Sequence, residues 1–131
     1  MTVVVDTNVV AALMLRTEQN PVVAHCFVRD RDRRLPVLWH SEFLHVLLKY
    51  VRANLFSPSQ VSALWERALE QLASHEHVVD GQQILALAIR FGCSTYDAED
   101  VVLAKELNCP LLTFDRKLLQ LFPDVALKPG S

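Results

Sequence analysis

The segment Thr2-Val3-Val4-Val5-Asp6-Thr7-Asn8 places a run of β-branched residues directly before an acidic side chain. The run is too short for a helix and is typical of a buried strand in a parallel sheet. Asp6 or Thr7 can then cap a helix that follows at once. Because the carboxyl ends of parallel strands border the ligand-binding crevice of an open α/β sheet, we expect the Asp6 side chain to project into that crevice.

Three more acidic residues are candidates for the same crevice. Glu42 comes shortly after the apolar run Leu35–Trp39, and Asp115 comes directly after Pro110–Phe114. Asp97 is expected in the first turn of a later helix, where the helix dipole favours a negative charge. Two carboxylates about 4 Å apart repel each other by about 4 kcal/mol at an effective dielectric constant near 20. The pattern therefore predicts raised pKa values or a bound cation, and hard oxygen ligands favour Mg²⁺ or Mn²⁺ over zinc.

Polar side chains beside these acids are candidates for supporting roles. Thr7 and Asn8 follow the first acid directly and can support it or only satisfy local backbone groups. Asp100 lies three residues after the helical acid, on the same helix face, and can assist it. Thr113 lies in the last apolar run and can hydrogen-bond a metal-ligating carboxylate. Glu99 is expected to point elsewhere, into solvent.

The composition fits a single domain over residues 1–131. The chain is 51% hydrophobic and only 21% charged, which is enough apolar material for a substantial core. No apolar stretch reaches the roughly 20 residues needed to cross a bilayer, and no amino-terminal signal is present. We therefore expect a cytoplasmic protein with no membrane contact. The three cysteines lack a Cys-x-x-Cys spacing and are expected to be buried and reduced.

Strand and helix patterns alternate along the chain, which predicts a three-layer α/β/α sandwich with a central, mainly parallel sheet. The third helix is apolar around more than one face, so we expect a dimer contact over Phe43–Phe56. The predicted strands are Thr2–Val5, Leu35–Trp39, Glu76–Val79, Pro110–Phe114 and Val125–Lys128, and the predicted helices begin near Asp6, Asn20, Ser41, Ser57, Gly81, Tyr96 and Asp115.

A net charge of −2 gives no general attraction for nucleic acid, so any such partner must meet a local basic patch. Arg116 and Lys117 form one candidate. The run Arg29–Arg34 forms another, although its acids alternate with its bases. A solvated loop is favoured for this run over a phosphate contact, and both interpretations stay open.

Several other site types lack their signatures. Glu42 and His45 have a Glu-x-x-His spacing, but a di-iron bundle needs a second copy, and His45 is expected in the core or on the surface. His75 and His77 alternate around an acid without the further ligands of a zinc site. No Gly-rich phosphate loop or Gly-x-Ser-x-Gly nucleophile turn occurs. A receiver domain would need a mid-chain phosphoacceptor aspartate, and a haloacid-dehalogenase-like phosphatase would need an aspartate where Asn8 stands.

Four segments together resemble the successive motifs of PIN-domain nucleases, in order and over nearly the whole chain. The likeness is nearest to the small prokaryotic VapC-like toxins of toxin–antitoxin pairs. The segments are Val3-Val4-Val5-Asp6-Thr7-Asn8, Leu38-Trp39-His40-Ser41-Glu42-Phe43, Thr95-Tyr96-Asp97-Ala98 and Leu111-Leu112-Thr113-Phe114-Asp115-Arg116-Lys117-Leu118.

The resemblance implies a Mg²⁺- or Mn²⁺-dependent ribonuclease in which Asp6, Glu42, Asp97 and Asp115 are the catalytic, metal-binding acids. It also implies a homodimer that a small antitoxin protein neutralises. Two positions depart from the family pattern, since His45 stands where relatives often have a small polar residue and Asp100 where an aromatic is usual. The alternative is a PIN-fold binding or scaffold module with weak or no cleavage.

Overall fold

The computed structural model of the protein describes residues 1–18, 20–30 and 32–131. In this part of the chain, five strands form one sheet in the order β3-β2-β1-β4-β5. Every neighbouring pair is parallel, which confirms the predicted parallel sheet. The strands are β1 (Thr2–Val5), β2 (Asp32–Pro36), β3 (Glu76–His77), β4 (Leu111–Leu112) and β5 (Ala126–Leu127).

Helices cover both faces of the sheet. The first four described helices pack on one face and the remaining three on the other, so the α/β/α prediction is confirmed. A short 3₁₀ turn joins the fourth helix to β3. The helices are α1 (Thr7–Met14), α2 (Asn20–Arg29), α3 (Trp39–Arg52), α4 (Pro58–Leu72), α5 (Gly81–Phe91), α6 (Thr95–Glu106) and α7 (Arg116–Leu121).

The central strand β1 supplies side chains to two separate hydrophobic cores. Val3 and Val5 join the core formed with α1 to α4, whereas Val4 joins the core formed with α5 to α7. This division follows from the two-residue period of a strand, which sends successive side chains to opposite faces. All three valines are almost fully buried, so β1 is the axis from which both helical layers are positioned.

Most predicted helix ends are confirmed. Ser57 caps α4 through its hydroxyl, and Gln60 returns the bond to complete a capping box. The Ser94 hydroxyl accepts the backbone N–H of Asp97 at 3.0 Å and so begins α6. Gly92 ends α5 with φ 68°, a left-handed conformation that glycine adopts without strain.

The predicted boundary between β2 and α3 was wrong. The strand covers Asp32–Pro36 instead of Leu35–Trp39, because its charged first residues pair with the backbone of β1. The helix begins at Trp39, two residues before the predicted cap at Ser41. Trp39 is fully buried and its Nε1 donates to Glu76 Oε1 at 2.8 Å, which fixes the start of the helix against β3. No side chain caps this end.

The expectation of a solvated loop over Arg29–Arg34 was also wrong. Asp30 is only 1% exposed and pairs with Arg29 at 2.8 Å. Positions 32–34 belong to β2, where Asp32 pairs with Arg34 on one face of the strand. Arg31 lies outside the described residues.

Two expectations that came from the composition are met only in part. Cys26 is buried, whereas Cys93 and Cys109 are only half-buried, and all three thiols are free. None of the described helices is long and apolar enough to span a membrane.

Candidate active site

The four predicted acids line one cavity of about 300 Å³ at the carboxyl end of the sheet. They come from four places in the chain, since Asp6 and Asp115 follow β1 and β4 while Glu42 and Asp97 lie in the first turns of α3 and α6. Larger cavities occur elsewhere, but two of them, of about 500 and 480 Å³, have at most one carboxylate in their linings. The other lining residues are Thr7, Asn8, His45 and Val46.

Asp6 is held in one orientation by two hydrogen bonds. Its Oδ1 accepts the backbone N–H of Thr7 at 2.7 Å, which caps α1, and its Oδ2 accepts the hydroxyl of Thr113 at 2.8 Å. Burial raises the pKa of Asp6, and the two hydrogen bonds oppose that rise. The cap and the candidate ligand are therefore the same carboxylate, and the cap directs it towards the cavity.

Thr113 links the two strands that carry acids at their ends. Its fully buried hydroxyl donates to Asp6 and accepts the backbone N–H of Asp115 at 3.0 Å. The Asn8 amide donates to the same hydroxyl at 3.4 Å, and its oxygen accepts the backbone N–H of Phe114 at 3.3 Å. The expected bond between Thr113 and a candidate ligand is confirmed, and Asn8 contacts the β4–α7 connection rather than a carboxylate.

Glu42 is positioned by a side chain from a different helix. Its Oε1 accepts the hydroxyl of Thr7 at 2.9 Å, a contact 35 residues apart in sequence. Burial raises the pKa of Glu42, and the nearby charges of Asp6, Asp97 and Glu99 raise it further. Thr7 therefore holds one acid by its backbone and a second by its hydroxyl.

Asp97 and Asp115 form the other side of the cavity. Burial raises the pKa of Asp97, the charge of Asp115 raises it further, and the charge of Lys117 opposes the rise. Asp115 is the N-cap of α7, and its Oδ1 accepts the backbone N–H groups of Lys117 and Leu118 at 2.8 and 3.2 Å. Like Asp6, it combines a capping role with a place in the cavity wall.

Asp100 lies behind the cavity wall instead of lining it. Its side chain is buried next to Asp6. Burial raises its pKa well above the ordinary carboxyl range, and the charges of Asp6 and Glu42 add to the effect. A raised pKa favours the protonated form, and a protonated carboxyl can donate a hydrogen bond to its ionised neighbour.

The acids share a cavity without converging on one point. Among the described residues, no three carboxylate, imidazole or thiol groups stand close enough together to hold an ion. The donor set nevertheless fits a hard cation, because it offers carboxylate and hydroxyl oxygens at a polar cavity without a thiolate.

Two residues near the site differ from what the sequence predicted. His45 is exposed, as expected, yet it lines the cavity. Its position three residues after Glu42, on the same helix face, was the signal that could have revealed this.

Glu99 is half-buried instead of solvated, and burial raises its pKa. Arg116 and Lys117 are exposed on the first turn of α7, beside the cavity and outside its lining.

Comparison with known proteins agrees with this geometry. The PIN domain family matches residues 3–124. Ribonuclease VapC3 from Pyrobaculum aerophilum is 29% identical over 126 residues, which cover 94% of this chain and 96% of the relative.

Two solved structures share the fold. The crystal structure of PAE2754 from P. aerophilum has a TM-score of 0.75 at 20% identity, covering 96% of this chain and 83% of the other. A toxin–antitoxin complex from Klebsiella pneumoniae has a TM-score of 0.69 at 13% identity, covering 98% of both chains. The resemblance seen in the sequence motifs is confirmed, and the chain belongs to the PIN domain family.

Proposed function

We propose that this protein is a metal-dependent endoribonuclease that hydrolyses RNA phosphodiester bonds. The observation that carries the proposal is the gathering of Asp6, Glu42, Asp97 and Asp115 around one cavity in a chain of the PIN domain family. The ribonuclease name of the VapC3 relative supports the same activity.

Mg²⁺ or Mn²⁺ is the proposed cofactor, held by the same four carboxylates. The raised pKa values of Asp6, Glu42 and Asp97 favour this assignment, because a cation would offset the burial and repulsion that raise them. When bound, such an ion supplies Lewis-acid chemistry, lowering the pKa of a water and stabilising charge on the attacked phosphate.

The chain's own groups would orient the site and bind the substrate. Thr113 and Thr7 fix the direction of the Asp6 and Glu42 carboxylates by hydrogen bonds. Arg116 and Lys117 would contact the RNA backbone beside the cavity, so that binding weakens as salt is raised. A shallow cavity of this kind needs an exposed backbone, which favours single-stranded or loop RNA.

The proposal includes the toxin role and its partners. The fold shared with a toxin–antitoxin complex supports a small antitoxin protein as a partner. Leu44 and Leu48, exposed on α3, support a homodimer through this helix. Light scattering tests the dimer, since a mass near 14.8 kDa would identify a monomer instead. Cytoplasmic action is part of the same proposal.

The decisive experiment is cleavage of a panel of single-stranded RNAs by purified protein in Mg²⁺ or Mn²⁺ against EDTA. The matched control is Asp6→Asn, which keeps an oxygen to cap α1 but removes the charge. Cleavage that requires the metal and disappears in the variant supports the nuclease. Metal binding by folded protein without cleavage of any RNA supports the binding-module alternative.

A further inference from the structure

Three arginines line a second cavity near the opposite end of the sheet. This cavity has a volume of about 480 Å³, within the range of pockets that bind ligands. Arg16 follows the end of α1, Arg33 lies in β2, and Arg67 lies in α4. Because Arg33 pairs with Val3, three residues before Asp6, the cavity lies about 10 Å back along the sheet from the carboxylates.

The three arginines of this cavity form no ion pairs among the described residues. The neighbouring Arg29 and Arg34 behave differently, since each pairs with an aspartate at 2.8 Å. The alternation along β2 explains the contrast between Arg33 and Arg34, because their side chains point to opposite faces of the strand.

Arg33 is fixed in place although it has no acidic partner. Its Nη1 donates to the backbone oxygen of Phe27 at 2.9 Å, and its guanidinium carbon lies 4.3 Å from the centre of the Phe27 ring. Burial lowers the pKa of this guanidinium. An incoming anion would find a donor group already oriented and partly stripped of water, which reduces the cost of binding.

The rest of the cavity lining is partly apolar. Met14 and Phe27 are almost fully buried and Leu13 is half-buried, whereas Arg16 and Arg67 are exposed at the rim. The cavity therefore combines apolar side chains inside with cationic groups at its edge.

We propose that this cavity binds an acidic peptide segment of a partner protein. Carboxylates of the peptide would pair with the guanidiniums of Arg16, Arg33 and Arg67, whose planar donor groups match carboxylates in bidentate geometry. An apolar side chain between those carboxylates would contact Leu13 and Met14.

Two observations favour peptide over RNA. Single-stranded RNA binds best where exposed aromatic rings can stack on bases. The Phe27 ring is only 8% exposed, and Arg33 covers one of its faces. The cavity also lies at the far end of the sheet from the carboxylates proposed to cleave RNA. The inference stands apart from the nuclease proposal, because its test involves none of those carboxylates.

The test is binding of a short labelled peptide in which glutamates alternate with leucines, followed by fluorescence anisotropy. The variant is Arg16→Gln/Arg67→Gln, which leaves Arg33 and its contact with Phe27 intact. Arg16 has φ 53°, and glutamine replaces it without changing the kind of backbone strain. The matched control is Arg52→Gln/Arg90→Gln, which removes two exposed arginines outside the cavity.

We expect the cavity variant to bind the peptide about tenfold or more weakly, equivalent to about 1.4 kcal/mol, and the control to bind like the wild type. Circular dichroism checks that both remain folded. Equal loss in both variants would overturn the proposal, because it would reflect net charge alone. Absence of peptide binding by the wild type would also overturn it. So would an oligouridylate that binds the wild type more tightly than the peptide and loses affinity in the cavity variant, which would assign the cavity to nucleic acid.

Discussion

The two ends of the central sheet carry opposite charge. At the carboxyl ends of β1 and β4, carboxylates crowd together, and burial raises the pKa of Asp6. At the amino end of β2, a hydrogen bond from Thr2 and contact with Arg34 lower the pKa of Asp32. The surroundings of Asp6 therefore disfavour the ionised carboxylate, whereas the surroundings of Asp32 favour it.

This difference explains why the net charge says little about partners. A value of −2 averages a cavity lined by four carboxylates with one lined by three arginines. Charges separated by more than a Debye length, about 8–10 Å at physiological salt, are largely screened in solvent. We therefore expect variants at one end of the sheet to leave ligand binding at the other end unchanged.

The largest expected effect is on RNA cleavage by Asp97→Asn. We expect a loss of about 10²–10³-fold, the scale seen when one group that stabilises transition-state charge is removed. The double variant Arg16→Gln/Arg67→Gln is expected to keep cleavage within about twofold of the wild type. Single-turnover rates on one RNA measure both. A comparable loss in the arginine variant would contradict the independence of the two ends.

A smaller loss of cleavage is expected from Thr113→Val. The substitution keeps the shape of the side chain but removes the hydroxyl that donates to Asp6 and accepts the backbone N–H of Asp115. Loss of groups that orient ligands typically costs about 10–100-fold in metal affinity or activity. The matched variant Thr113→Ser keeps the hydroxyl and should restore most of the activity. Equal defects in both variants would point to packing instead of hydrogen bonding.

The sequence predicted the layers and the four acids because both follow local rules. Strands before Asp6 and Asp115 are apolar and short, and the capping residues of α4 and α6 have the expected side chains. Asp6 and Asp115 line the cavity for the same local reason, because an acid that follows a parallel strand lies at the carboxyl edge of the sheet.

The predicted bounds of β2 and α3 were wrong because long-range packing overrides local sequence preference in this region. Charged residues begin β2 because β1 needs a neighbour for its backbone, and Trp39 starts α3 because it is buried against β3. The role of Arg33 could not be read from the sequence either. It depends on which face of β2 the side chain occupies and on the absence of an ion pair between Arg33 and a carboxylate of the described residues.

Asp100→Asn is expected to stabilise the metal-free protein at neutral pH. The folded chain binds the Asp100 proton more tightly than the unfolded chain, because burial and the neighbouring carboxylates raise its pKa. Its contribution to stability is therefore fully present below the ordinary carboxyl pKa of about 3.9 and is lost as pH rises towards the raised value.

Asparagine keeps the shape and a donor for Asp6 but never ionises. We expect a gain in the free energy of unfolding that grows as pH rises from about 4 to 8, because the cost of keeping Asp100 protonated in the folded chain grows over that range. Urea unfolding in EDTA, repeated from about pH 4 to pH 8, measures it. A gain that does not grow with pH would show that Asp100 ionises as readily in the folded chain as in the unfolded one. The control Glu66→Gln removes an exposed acid far from the cavity lining and should change little.

Divalent cations should stabilise only the carboxylate end of the molecule. Mg²⁺ or Mn²⁺ at ten times its Kd would add about 1.4 kcal/mol to the free energy of unfolding, or about 5 °C in Tm for a chain of this size. Asp6→Asn should abolish the shift, whereas Arg16→Gln/Arg67→Gln should keep it. Ca²⁺ provides a useful comparison, because it accepts longer bonds and more ligands than Mg²⁺. A shift in Tm that survives Asp6→Asn would mean that the ion binds elsewhere, and no cation would then relieve the burial and repulsion that raise the pKa values of Asp6, Glu42 and Asp97.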